Sequence, residues 1–131
     1  MKRILVVEDE AHIVRLMKMA LERAGYAVDS AAHGEEALEY LEHQIPDVLI
    51  TDIDMPRMTG RELCMRLHAD MPDRHFPIVV ITARTEVEHR EWSRLIPNLE
   101  FVEKPISVRK LVSRLESYFA DRVVSEEPCG V

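Results

Sequence analysis

With 131 residues, 47% of them hydrophobic and 31% charged, the chain suits one globular domain whose core hides roughly two-thirds of the unfolded surface. Seventeen basic residues against twenty-four acidic ones give a formal charge of -7, which argues against direct nucleic-acid binding because phosphate backbones attract positive charge. No apolar run approaches the ~20 residues that cross a bilayer, the N-terminal apolar stretch ends at Val7 in acidic residues, and Cys64 and Cys129 are too few for a disulfide framework. The expectation is a cytoplasmic protein with no membrane insertion.

Ile4-Leu5-Val6-Val7 is continuous and largely β-branched, the pattern of a strand buried on both faces. Ile13, Met17, Ala20, Leu21 and Ala24 then recur at helical spacing, and Gly25 supplies a C-terminal stop. The mixed run Ala27–Ala31 predicts an edge strand. A helix over about Glu35–His43 turns Ala37, Leu38 and Leu41 inward. Val48-Leu49-Ile50 predicts a second central strand. Thr59 with Glu62 three residues on reads as a capping box, opening a helix that buries Leu63, Cys64, Leu67 and Met71. Ile78-Val79-Val80-Ile81 predicts the third central strand. Thr85 and Glu88 repeat the capping device, but that helix has a poor apolar face, with Val87, Trp92 and Leu95 among Glu86, His89, Arg90, Glu91 and Arg94. Leu99-Glu100-Phe101-Val102 predicts another edge strand. The last helix starts at Ser107 and carries Val108, Leu111, Val112, Leu115, Tyr118 and Phe119.

Strand and helix alternate five times, which predicts an α/β three-layer sandwich with a parallel sheet. Central first, third and fourth strands give the order 2-1-3-4-5 with five helices, the flavodoxin-like arrangement. The domain is expected over residues 1–120. Residues 121–131, with Pro128 and Gly130, are expected to form a flexible tail.

In such sheets ligands bind beyond the carboxyl ends of the strands, at the switch in strand order, here between strands one and three. Glu8, Asp9 and Glu10 end the first strand, Asp52 and Asp54 the third, and Thr82 the fourth, while the fifth leads to Lys104-Pro105. Each signal alone has a plain structural reading: an Asp as a turn former, Glu8 and Asp9 as helix starters. Together they place three carboxylates, a hydroxyl and an ammonium on one rim. Like charges ~4 Å apart repel by about 4 kcal/mol at an effective dielectric of 20. A hard divalent cation relieves this, and Mg²⁺ prefers carboxylate oxygens plus water. The cation and Lys104 can then clamp phosphoryl oxygens and Thr82 can donate to another, leaving Asp52 as the natural nucleophile for an acyl phosphate.

These residues resemble the receiver domain of two-component response regulators, as a single-domain receiver of the chemotaxis type. The likeness covers roughly residues 2–120 and is carried by ILVVEDE at 4–10, DVLITDIDMPRMTG at 47–60, IVVITAR at 78–84 and FVEKP at 101–105. It implies Asp52 as phosphoacceptor, Asp9 as a direct Mg²⁺ ligand, Glu8 acting mainly through water, and the Asp54 backbone carbonyl as a further ligand. It implies that Lys104 holds the phosphoryl group, that Thr82 turns toward it, and that Phe101 follows as the switch aromatic. Implied partners are a sensor histidine kinase or a histidine phosphotransfer protein as donor, and a downstream protein that reads the face of the fourth helix, fifth strand and fifth helix. The only catalysis implied is of its own phosphorylation and dephosphorylation.

Two features are this chain's own. Leu95-Ile96-Pro97-Asn98 replaces the family's usual Gly-Ala pair, which weakens transfer of the relatives' dimer contacts. The chain is expected to be a monomer or a weak, phosphorylation-dependent dimer. Arg84 and Asp54, opposite in charge and both on the rim, are expected to pair and slow the water that hydrolyses the phosphoryl group. The four glycines form no phosphate loop, the histidines have no zinc spacing, and there is no Gly-x-Ser-x-Gly elbow. A rival reading is an aspartate-dependent phosphatase of the haloacid-dehalogenase type, from Asp52-x-Asp54. That motif usually follows the first strand of a larger chain, not the third. A third reading is a phosphate-sink adaptor.

Overall fold

The computed structural model describes the backbone of residues 1–83 and 86–130, and the side chains of residues 1–83 and 89–120. Its elements run β1 (Arg3–Val7), α1 (Ala11–Arg23), β2 (Ala27–Ala31), α2 (Gly34–His43), β3 (Val48–Asp52), α3 (Gly60–Asp70), β4 (Ile78–Thr82), α4 (Glu86–Ser93), β5 (Leu99–Glu103) and α5 (Val108–Gly130). All strand pairs are parallel, in the expected order β2-β1-β3-β4-β5.

The continuous apolar strands are buried on both faces because two cores flank the sheet. On one side Leu5, Val7, Leu49, Ile78 and Val80 pack under α2, α3 and α4. On the other, Ile4, Val6, Val48, Ile50, Val79 and Ile81 pack under α1 and α5. The alternation follows the two-residue period of a strand. The mixed runs lie at the edges, where β2 and β5 are only partly covered.

Local chemistry sets the helix ends. α1 closes in a Schellman motif: Tyr26 N–H donates to the Leu21 carbonyl, Gly25 N–H donates to the Glu22 carbonyl, and Gly25 sits at φ +98°. α3 opens with the Thr59/Glu62 capping box in both directions. The fourth helix departs from expectation. It ends at Ser93, so Leu95 is 59% exposed, and Ile96, one residue later, enters the core instead. The chain turns there through Asn98 at φ +56°. Thr85, Val87 and Glu88, on which the start of this helix was read, lie outside the described side chains, as does Arg84. α5 continues helical past Asp121, where the domain was expected to end; the side chains and the expected flexibility of that segment lie outside the described residues.

Candidate functional site at the β1/β3 rim

The register brings the strand ends level. Val7 pairs with Thr51 between β1 and β3, Asp52 with Ile81 between β3 and β4, and Thr82 with Glu103 between β4 and β5. Residues that follow these positions therefore emerge on one rim. Glu8 stays tied to the sheet through its N–H on the Ala31 carbonyl, and its carboxylate accepts from the Glu10 N–H. α1 begins only at Ala11, has no acidic residue in its first turn, and receives no side-chain cap from Glu10. Glu8 and Asp9 thus stand before the helix and do not serve to start it.

Glu8, Asp9 and Asp52 each offer a carboxylate oxygen, and these oxygens all lie within 4.8 Å of one another. Asp52 is 3% exposed and Glu8 6%, while Asp9 opens to solvent. Lys104 Nζ sits 3.1 Å from both Asp52 carboxylate oxygens. The Lys104 N–H donates to the Thr82 carbonyl at 2.8 Å, which ties the end of β5 to β4, and the Lys104–Pro105 peptide is cis. Asp54 meets Asp52 through its backbone N–H, 3.3 Å from Oδ1, and its side chain is exposed.

The electrostatics show what the cluster can hold. Burial pushes the Glu8 carboxyl up to about 7; contact with Asp9 and the charges of Asp52 and Asp9 add to this, against the Glu10 N–H. Burial alone would lower the Lys104 ammonium, but the hydrogen bond to Asp52 and the charges of Asp52, Glu8 and Asp54 hold it above its ordinary value. Among the described residues one ammonium faces three acids, and Glu8 binds a proton more readily than an ordinary carboxylate. A hard divalent cation fits this oxygen set and would take the proton's place.

Thr82 is fully buried at the end of β4, and its Oγ1 lies 3.2 Å from His89 Nε2. Phe101 is half-buried and stacks on the same imidazole. The expected switch residues are therefore joined by His89, which the sequence pattern hides among charged neighbours. The legible signal was its three-residue spacing to Trp92, which puts both on one helix face. Gly60 carries no sequence signal of its own. It opens α3 directly against the backbone of Asp52 and Ile53. Arg84, expected to pair with Asp54, lies outside the described residues.

Comparison with known proteins adds to this geometry. The family model for the response regulator receiver domain matches residues 4–116. The alkaline phosphatase synthesis transcriptional regulatory protein PhoP of Bacillus subtilis is 36% identical over 116 residues, covering 88% of this chain and 48% of that protein. The chain spans about half the length of the curated relatives it matches. Among solved structures, the chemotaxis protein CheY4 of Vibrio cholerae superposes with a TM-score of 0.81 at 30% identity, covering 89% of this chain and 98% of that one. The response regulator protein TrrA of Thermotoga maritima, solved in complex with Mg²⁺–BeF, gives a TM-score of 0.76 at 33% identity with the same coverage.

Proposed function

The chain belongs to the family of response regulator receiver domains, and on that premise we propose that Asp52 accepts a phosphoryl group and that the chain relays the event as a change of shape. The observation that carries this reading is the set of three carboxylate oxygens within 4.8 Å of one another, with Lys104 Nζ against the buried Asp52. The Thermotoga response regulator, solved in complex with Mg²⁺–BeF, supports it.

Glu8, Asp9 and Asp52, with the Asp54 carbonyl, would hold Mg²⁺, Glu8 acting mainly through water. Bound there, the ion supplies charge neutralisation to the acids and to the incoming phosphoryl oxygens. The protein's own residues do the rest. An Asp52 oxygen attacks the phosphorus of a phosphohistidine. The P–N bond breaks as the O–P bond forms, and the imidazole leaves with the bonding pair and takes up a proton. Lys104, already paired with Asp52, follows the new negative charge onto a phosphoryl oxygen. The Thr82 hydroxyl turns to donate to another, and Phe101 moves into the space released. Asp54 and Arg84, which stand two residues after Asp52 and Thr82 in the sequence, set the phosphoryl lifetime.

The family is one of signalling receivers, and the catalysis here is confined to the chain's own phosphorylation and dephosphorylation. The donor is a sensor histidine kinase or a histidine phosphotransfer protein. An apolar groove between α1 and the β5–α5 loop supports such docking, since it is lined by Ile13, Leu16, Met17 and Ile106 and runs into Glu8 and Lys104. The output is the α4-β5-α5 face, read by a protein target, with the chain a monomer or a weak phosphorylation-dependent dimer. The net charge of -7 opposes direct nucleic-acid contact. No helix among the described residues is long and apolar enough to cross a membrane, which agrees with a cytoplasmic setting.

Labelled acetyl phosphate with Mg²⁺ tests the reading. The expected result is at most one label per molecule, and none on Asp52→Asn. Label that persists on that variant removes Asp52 from its role, and sustained turnover of a generic phosphate ester would point to a hydrolase instead.

A further inference from the structure

His89 is 8% exposed on a helix whose neighbouring side chains Arg90 and Glu91 face water. Both of its ring nitrogens are engaged. Trp92 Nε1 lies 3.1 Å from Nδ1, and an indole N–H can only donate, so Nδ1 accepts. The imidazole is then neutral with its proton on Nε2, which donates to Thr82 Oγ1 at 3.2 Å. The ring also lies face to face with Phe101, centroids 5.3 Å apart and planes 17° apart. Trp92 closes the group edge-on, 5.7 Å from the His89 ring and 5.8 Å from that of Phe101. One side chain of α4 therefore touches both residues that the phosphoacceptor reading assigns to switching.

We propose that His89 is a positioning residue, a latch that holds Thr82 and Phe101 in the unphosphorylated arrangement. The proposal rests on that reading, in which Thr82 turns toward a phosphoryl group on Asp52. A threonine changes χ1 by stepping between staggered rotamers about 120° apart. Such a step carries Oγ1 out of reach of Nε2, where the contact is already at the long end of hydrogen-bond distances. The turn breaks the latch, and the imidazole loses the partner that fixes it against Phe101. The bond is buried and water cannot replace it at once, so it weights the equilibrium toward the inactive arrangement. Breaking it also delivers the Asp52 event to α4.

Two substitutions separate the hydrogen bond from the packing. His89→Phe keeps a flat ring against Phe101 and removes the donor to Thr82. The indole of Trp92 loses its acceptor in both arrangements, so that cost cancels between them. His89→Gln supplies an amide N–H for Thr82 and a carbonyl for Trp92. With beryllofluoride and Mg²⁺ as the phosphoryl mimic, His89→Phe should bind roughly two- to tenfold tighter than wild type, the range of one hydrogen bond. His89→Gln should return affinity toward the wild-type value. In ¹⁵N-labelled wild-type protein, the Nε2–H signal of His89 should shift on adding the mimic. The emission of Trp92, the only tryptophan, should change in parallel. Wild-type protein that ignores the mimic defeats the phosphoacceptor reading and the latch with it. Wild-type protein that binds the mimic while the His89 and Trp92 signals stay still overturns the latch alone. So does a folded His89→Phe variant that binds no more tightly. If His89→Phe does not fold, the wild-type spectra decide.

Discussion

Gly60 joins backbone chemistry to the site. A Cβ there would overlap the Asp52 carbonyl oxygen and stand 2.8 Å from Ile53 Cα, against main chain that cannot swing aside. Its N–H donates to the Ile53 carbonyl at 2.9 Å, which pins the start of α3 under the loop that follows β3. Gly60→Ala should therefore destabilise the fold by about 1–3 kcal/mol, in the range of overpacked sites. Because the displaced atoms belong to Asp52, it should also slow labelling by acetyl phosphate more than the stability loss accounts for. Urea denaturation read beside the labelling rate checks this, and an unchanged rate in a destabilised variant would confine Gly60 to packing. Asp52, Asp9, Glu8 and Lys104 could be read from sequence because each ends a strand or follows one within two residues, so topology brings them to one rim. Gly60 and His89 could not. A close approach to backbone and a buried imidazole arise from packing across elements, which periodicity along one element does not carry.

At the scale of elements, the groove beside α1 separates two ways of delivering the phosphoryl group. Leu16 is 56% exposed on α1 with Met19 also open to solvent, whereas Met17, at the floor of the groove, and Leu21 are buried in the core. A small donor needs only the rim, but a phosphohistidine carried on a protein must also seat that protein on the surface beside it. Leu16→Glu should lower the rate of transfer from a phosphorylated histidine phosphotransfer domain by roughly tenfold relative to the rate from acetyl phosphate, which amounts to ~1.4 kcal/mol of docking. Equal effects on both donors would remove the groove from docking. The strands and their order were legible because central runs are apolar on both faces and edge runs are mixed. The fourth helix was legible only in outline. Leu95 falls three residues after Trp92 and looks inward by helical spacing, yet the helix has already ended at Ser93, and the altered path gives its place to Ile96.

Across the whole molecule, the sheet's outer edge is held by a polar knot spanning three elements. Asp29 on β2 accepts from the Tyr40 hydroxyl of α2 at 2.6 Å and from the Arg3 guanidinium of β1 at 2.9 Å. The Tyr40 hydrogen bond, and after it Arg3, hold the Asp29 carboxyl below its ordinary value despite partial burial. The folded state thus binds this proton less readily than the unfolded chain. Its contribution is complete above the ordinary carboxylate range and is lost as pH falls through the folded value. Thermal melts from pH 6 to pH 3 should show Asp29→Asn less stable at pH 6, by about 0.5–1 kcal/mol for the Tyr40 hydrogen bond, and converging on wild type in acid. Parallel curves would exclude the linkage. The opposite rim carries the central claim, that acids crowded there make Asp52 the nucleophile. Borohydride reduces an acyl phosphate to an alcohol, so peptide mass mapping after incubation with acetyl phosphate locates the modified residue directly. The account predicts a single reduced position, Asp52, seen with Mg²⁺ and lost when the ion is chelated. Reduction at another carboxylate, or none at millimolar Mg²⁺, would contradict it.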